Sequence, residues 1–333
     1  MKRIIKKILK GILFLGFPLT VISALWLRFI KKMEARLGLS KINDKIFMKL
    51  GIFPILDQYY QPLINPKKHL TKSLRDDREL KGIDFNVKEQ LDLLSKFNYN
   101  EELLEIPITE RKEKPYYNDS ILDKEFFYNN SSYTSGDAEY LYNMIRYFKP
   151  RKIIEIGSGI SSLMVLNAIN KNKADNVTDA CKHICIEPYG KPWLEHMVGE
   201  VIRKKVEDVD KTFFEQLEAN DILFIDSSHI IRPQGDVLFE YLEVLPRLKP
   251  GVIIHVHDIF TPKDYRNEWI YDYHFLWNEQ YLLEAFLTFN NDFRVVASLN
   301  YLTHHYRDEM AAKCPIFKDQ PAQEPGAFWM IRN

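Results

Sequence analysis

The sequence predicts an α/β fold: a mostly parallel sheet with helices on both faces, plus an N-terminal membrane-anchor helix and a helical lead-in. Three observations predict it. From Ser135 onward, short continuously apolar runs such as Lys152–Ile156 (KIIEI) and Asp221–Asp226 (DILFID) alternate with stretches of helical periodicity. Strands without polar alternation belong in a sheet covered on both sides. Glycines, acids and histidines follow those runs directly, where open parallel sheets bind their ligands. Residues 1–36 combine an uncharged apolar run with nine Lys and Arg and one acid, Glu34.

Composition sets the outer bounds. The 333 residues are 46% hydrophobic and 28% charged, ordinary for a globular chain. The length holds one large domain and an extra segment. A net charge of zero conceals an asymmetry, because residues 37–333 hold 37 bases against 45 acids. A mildly acidic body repels phosphate backbones, so no nucleic-acid partner is expected. Cys181, Cys185 and Cys314 are too sparse for a disulfide framework and lack the CxxC spacing of a zinc site. They read as reduced thiols.

Residues 1–36 are the first segment. Gly11–Leu27 (GILFLGFPLTVISALWL) has no charge, with Lys10 before it and Arg28 after it. Its 17 residues stand at the short end of what a spanning helix needs, about 17–25. Pro18 would kink it. A membrane span, an interfacial anchor and a signal peptide are all open. The basic start suits a signal peptide, but no small-residue cleavage site leads into a secreted-looking domain. Positive charge on both flanks leaves the orientation open. The expectation is a retained membrane anchor; a hydrophobic helix buried against the body is the alternative.

Residues 37–134 form the second segment. Val87–Phe97 (VKEQLDLLSKF) has helical spacing, and Pro54, Pro62, Pro66, Pro107 and Pro115 break the remainder into short pieces. A partly helical lead-in packing on the main domain is expected.

Residues 135–333 are the main domain. Asp137 and Glu139 favour the positive start of a helix whose apolar residues run from Ala138 to Phe148, and Pro150 ends it. Strands are expected at Lys152–Ile156, His183–Glu187, Val201–Val206, Asp221–Asp226, Gly251–His257, Phe293–Ser298 and Phe328–Ile331. Helices are expected at Ser161–Ile169, Val237–Leu248 and Tyr281–Phe289.

The residues after the strands carry the chemistry. Gly157, Ser158 and Gly159 make a tight turn that lets a ligand approach the backbone. Ser162 stands where a dinucleotide fingerprint has its third glycine. Glu155 would repel a pyrophosphate and suits a ligand with cationic groups, such as the amino group and sulfonium of S-adenosylmethionine. The bland alternative is a structural turn. Glu187 ends the second strand, where a carboxylate accepts both hydroxyls of a ribose; otherwise it is a surface acid. Glu207 and Asp208 follow the third strand, where Asp208 can meet an adenine amino group.

Asp226, Ser227 and His229 follow the fourth strand, facing both ligand and acceptor. His229 is the general-base candidate, since an unperturbed imidazole titrates near neutrality; a buried structural histidine is the other reading. His257 and Asp258 end the fifth strand. Asp226 and Asp258 can jointly hold one divalent cation, such as Mg²⁺, through oxygen ligands. Alternatively no metal is bound, and Asp258 orients His229 or His257. His255 lies deeper on the same strand and reads as core. Tyr265, Trp269, Tyr271, Tyr273, Phe275 and Trp277 then form an aromatic stretch, either a lid and acceptor platform or a packed connection. His304 and His305 can approach the same face.

These motifs resemble those of class I S-adenosylmethionine-dependent methyltransferases. KIIEIGSGISS resembles the family's first motif, ICIEP its ribose-binding acid, DILFIDSSH its fourth-strand motif and LPRLKPGVIIHVHDIF its fifth-strand region. The "IDSSH … LKPG … HDIF … WNEQYLL" pattern is similar to the small-molecule branch. The resemblance covers about Ser135 to Arg332. It implies a Rossmann-like sheet of seven strands in the order 3-2-1-4-5-7-6, the last antiparallel. It also implies cofactor contacts at Glu155, Gly157, Gly159, Glu187 and the Asp226 loop. Metal-dependent relatives carry an Asp after strand four and an Asp-Asn pair after strand five. Asp226 and Asp258 match, but Ile259 replaces the Asn, and His229 stands where some relatives place a lysine base.

The expected function is therefore O-directed methyl transfer from S-adenosylmethionine to a small-molecule, sugar or glycolipid-type acceptor. Because that cofactor is made in the cytosol, the catalytic domain is expected in the cytoplasm, attached to the membrane. Two alternatives remain: a non-catalytic membrane-attached protein retaining the fold, and a nicotinamide-dependent oxidoreductase. The missing third glycine and Glu155 argue against the latter.

Overall fold

The apolar runs become strands: β1 (Lys152–Ile156), β2 (Lys182–Ile186), β3 (Glu200–Ile202), β4 (Ile222–Ile225), β5 (Ile253–Val256), β6 (Phe293–Ser298) and β7 (Phe328–Arg332). The structure is a computed structural model that describes residues 2–37, 42–57, 61–118 and 120–333. The chain divides into two compact units, Met1–Lys72 and Ser73–Asn333. One seven-stranded sheet runs in the order β3-β2-β1-β4-β5-β7-β6, the order the resemblance implied. β7 is antiparallel to both of its neighbours, and the remaining pairs are parallel. β3 stops short of Val206, because Arg203, Lys204 and Lys205 intervene and Val206 opens a tight turn instead.

Strand alternation divides the core into two faces. Ile153, Cys185, Phe224, Ile253 and Trp329 share one face with the helices Asp137–Phe148 and Ile160–Asp175. Ile154, Ile156, Leu223, Ile225 and Ile254 share the other with the helical segment 236–247 and the helix Glu279–Leu287. Ile153, Ile154, Leu223 and Ile254 are fully buried, each contributing roughly 1.5–3 kcal/mol. Residues from 73 onward belong to this unit: Leu94, Phe97, Leu103 and Tyr128 lie in its core, and Arg78 pairs with Glu284 on the helix Glu279–Leu287.

The first unit corrects one expectation. Lys2–Leu37 is a single helix, α1, with Pro18 inside it. Among the described residues, however, no helix is long and apolar enough to cross a membrane. The uncharged run Gly11–Leu27 is 17 residues long and is bounded by Lys10 and Arg28, at the lower limit of the roughly 17–25 residues a span needs.

Candidate active site

The turn after β1 is built by the backbone. Gly157 has φ +77°, and a Cβ there would lie 1.8 Å from the carbonyl oxygen of Asp226. The Gly157 N–H donates to Ile186 O, and the Asp226 N–H donates to Ile156 O. The first glycine is thus demanded by the close passage of the β1 and β4 ends. Gly159 is extended, and Ser162 in the third-glycine position accepts its N–H through Oγ at 3.1 Å. Ser158 is buried with its hydroxyl unpartnered, while its carbonyl accepts from Lys191 Nζ.

A cleft of about 600 Å³ opens at the carboxyl ends of β1, β2 and β4. Its wall includes Gly157, Glu187, Tyr189, Glu207, Asp226 and Ser227. Four of the residues expected to contact a cofactor (Gly157, Glu187, Asp226 and Ser227) therefore converge. Glu187 accepts the Tyr189 N–H at 2.8 Å through Oε1, and its Oε2 lies 3.5 Å from Lys191 Nζ.

Two expected contacts lie elsewhere. Glu155 shares a sheet face with its cross-strand neighbours Cys185 and Phe224. There its carboxylate accepts from Ser161 Oγ at 2.6 Å and pairs with His183 Nε2 at 2.7 Å. Alternation sends this side chain away from the cleft, to pin the first turn of the following helix. Asp208 is exposed at the end of the turn Val206–Asp208, so Glu207 lines the cleft in its stead. Neighbours in so tight a turn point about 120° apart. Ser158 and Gly159 flank the cleft without forming its wall.

Beside the cleft, two histidines clasp two aspartates. His229 Nε2 lies 3.3 Å from Asp226 Oδ1 and 3.5 Å from Asp258 Oδ2. His257 Nδ1 lies 3.4 Å from Asp226 Oδ1 and 3.7 Å from Asp258 Oδ1. The histidines are buried, whereas the Asp226 and Asp258 side chains remain 29% and 17% exposed, which leaves their carboxylates open to a ligand. His229 and Asp258 have φ of +60° and +57°, a region that costs non-glycine residues free energy and clusters at functional sites.

Three residues that sequence reasoning left without a site role complete this group. Glu279 accepts His229 Nδ1–H at 2.8 Å, and Tyr241 donates to its other oxygen at 3.2 Å. Asp137 lies 3.7 Å from His257 Nε2 while accepting the Gly326 and Ala327 N–H groups. Glu279 lay within the quoted WNEQYLL pattern; Asp137 read only as a helix-start acid. Trp277 covers the His229 ring at 4.4 Å, and Phe275 stacks on Trp277 at 5.1 Å, 7° from parallel. His255 packs between Phe224 and Trp329 in the core, and His305 pairs with Asp77.

The electrostatics follow from this crowding. Burial pulls the His229 pKa down, but contacts with Asp226 and Glu279 override it and hold the imidazole well above its ordinary value. Burial likewise opposes charge on His257, and Asp258 and Asp226 reverse it. Burial pushes Asp226 up, yet the two histidines hold it well below the usual carboxylate range. Burial raises Asp258 despite both imidazoles, and Glu279 despite His229. Asp226, His229 and Asp258 also offer ligand atoms all within 4.8 Å of one another. This oxygen–nitrogen–oxygen set fits a divalent cation.

A doubly wound sheet with a ligand cleft at its carboxyl edge, and an acid–imidazole cluster alongside, defines an α/β enzyme of small-ligand chemistry. A sequence profile described as a methyltransferase domain matches residues 154–259, from within β1 to just past β5. An uncharacterized protein of Archaeoglobus fulgidus is 33% identical over 181 residues, covering 51% of this chain and 76% of that protein. The chain belongs to the class I S-adenosylmethionine-dependent methyltransferase family.

Proposed function

We propose that this chain transfers a methyl group from S-adenosylmethionine to a hydroxyl of a small acceptor, a sugar or glycolipid-type molecule, in the cytosol at a membrane face. The observation that carries the reading is the position of Asp226. It belongs to the cleft wall that includes Gly157 and Glu187, and it touches both histidines of the neighbouring cluster.

When bound, the cofactor supplies an electrophilic methyl group on a positively charged sulfur. Glu187 would hold the ribose hydroxyls, and Asp226, on the same cleft wall, would face the cofactor's positive charge. His229, with Nδ1 held by Glu279, would take the acceptor's proton at Nε2, the acceptor oxygen gaining the methyl group as the carbon–sulfur bond gives way. Asp226 and Glu279 hold the His229 pKa well above its ordinary value, and a cationic group beside Asp226 would work against that shift. Phe275, exposed and stacked on the half-buried Trp277, offers an apolar ring face against which a sugar ring would pack.

A second reading has its own support. The convergence of Asp226, His229 and Asp258 within 4.8 Å favours a divalent cation held there, with Glu279 orienting the imidazole as such ligands require.

Calorimetry with S-adenosylmethionine tests the proposal. Binding is expected in the wild type and at least tenfold weaker in Glu187→Ala. No heat at millimolar cofactor would remove the reading.

A further inference from the structure

The methyl-transfer reading makes no use of α1, the helix Lys2–Leu37. Its open surface is apolar: Phe14, Phe17, Val21, Leu25, Trp26 and Phe29 are 42–81% exposed. They recur at spacings of three and four, which places them along one broad side of the helix. Gly16, Thr20, Ser23, Leu27 and Lys31 follow the same spacing on the other side. On that side the Thr20 hydroxyl donates to Gly16 O. Leu27 and Lys31 join Pro54–Asp57 around a cavity of the same unit. The helix is two-sided, and the described residues of its apolar side are exposed.

Charge identifies what covers it. Residues 1–36 hold nine cations and one acid, and the cations sit at both ends of the apolar run, at Lys2, Arg3, Lys6, Lys7 and Lys10 and again at Arg28, Lys31, Lys32 and Arg36. A buried protein partner would have to neutralise them. An anionic lipid surface does so while accepting apolar side chains beneath its headgroups. Among the described residues no helix is long and apolar enough to cross a membrane. A transverse helix would also press the Gly16–Thr20–Ser23 line into acyl chains, whereas an in-plane helix turns it toward water.

We propose that α1 lies in the plane of an anionic membrane interface, its Phe14–Phe29 side sunk among the acyl chains, and holds the chain on that surface without crossing it. The proposal stands independently of the chemistry in the cleft.

Sedimentation of the full chain with vesicles tests it, using about one part phosphatidylglycerol to three parts phosphatidylcholine against pure phosphatidylcholine. The chain is expected to pellet with the anionic vesicles only, and to be released by alkaline carbonate. Each Lys near such a surface is worth about fivefold in affinity. Lys6→Gln/Lys7→Gln/Lys10→Gln is therefore expected to bind roughly a hundredfold more weakly. Phe17→Ser/Leu25→Ser/Phe29→Ser is expected to stay in the supernatant with the thermal unfolding of the remainder unchanged. Trp26 emission is expected to shift to the blue on binding, with Trp26→Phe as the subtraction control. Failure to pellet, equal pelleting with both vesicle types, or resistance to carbonate extraction would each overturn the proposal.

Discussion

Residue 157 and the carbonyl of Asp226 approach so closely that a single added methyl group would sit 1.8 Å from that oxygen. Gly157→Ala must therefore separate the ends of β1 and β4 or distort a left-handed turn. The expected cost is about 3 kcal/mol or more in denaturant unfolding. Gly159→Ala is expected to cost less than about 1 kcal/mol, because its Cβ meets the movable Lys191 Nζ at 3.3 Å. Equal losses would show that the strand crossing is not the reason for the first glycine.

Glu279 sits behind His229, with a 2.8 Å hydrogen bond to Nδ1. Glu279→Gln retains the shape and removes the charge. Turnover is expected to fall roughly 10–100-fold with cofactor affinity unchanged. The sign of the pH effect also follows. Glu279 helps to raise the His229 pKa, so its loss lowers that pKa and moves the acid limb of the rate profile to lower pH. An unmoved limb would mean that His229 is not the titrating base.

Glu139 supplies a stability test remote from the chemistry. Burial raises its carboxyl from 4.5 to about 7, outweighing three backbone N–H donors at Gly136, Ile316 and Phe317. The folded chain keeps this proton between those two values, where the unfolded chain has released it. The contribution is therefore fully present below pH 4.5 and lost as pH rises through about 7. The loss is on the order of 3 kcal/mol. In Glu139→Gln this component of the pH dependence is expected to vanish, as measured by urea midpoints from pH 4 to 8.

The acid–imidazole cluster distinguishes the two readings of the site. If His229 works as a base alone, turnover is expected to survive dialysis against EDTA. Loss of turnover in EDTA, restored by Mg²⁺ or Mn²⁺, would instead assign Asp226, His229 and Asp258 to a cation.

Trp277 covers His229 at 4.4 Å and carries Phe275 on its own face. Trp277→Ala is expected to raise the acceptor KM at least tenfold while leaving S-adenosylmethionine binding intact. Steady-state kinetics and calorimetry check the two halves of that statement separately.

Much of this was visible in local sequence. KIIEI, DILFID and the Gly157–Gly159 turn carry their signals within a few residues, and they occupy the expected strands and turn. What depends on the face of a strand was harder to read. Glu155 and Gly157 are two residues apart, yet the pleat commits the Glu155 side chain to the core while the Gly157 backbone reaches the cleft. Asp208 and Glu207 differ by one position, and a tight turn decided between them. The partnerships of Asp137 with His257 and of Glu279 with His229 join segments 120 and 50 residues apart, and nothing in either neighbourhood announces them. In the N-terminal segment, apolarity and charge were plain in the sequence, and among the described residues no helix is long and apolar enough to cross a membrane.

The placement of β7 has a consequence for biosynthesis. Residues 328–332 fill the gap between β5 and β6, so a ribosome must deliver them before those two strands can be joined. Until then the nascent chain carries two bare hydrogen-bonding edges, each a template for pairing with a neighbour. A stop codon just before Phe328 would spare every residue of the cleft and still leave the sheet open, prone to clump as the polypeptide leaves the tunnel.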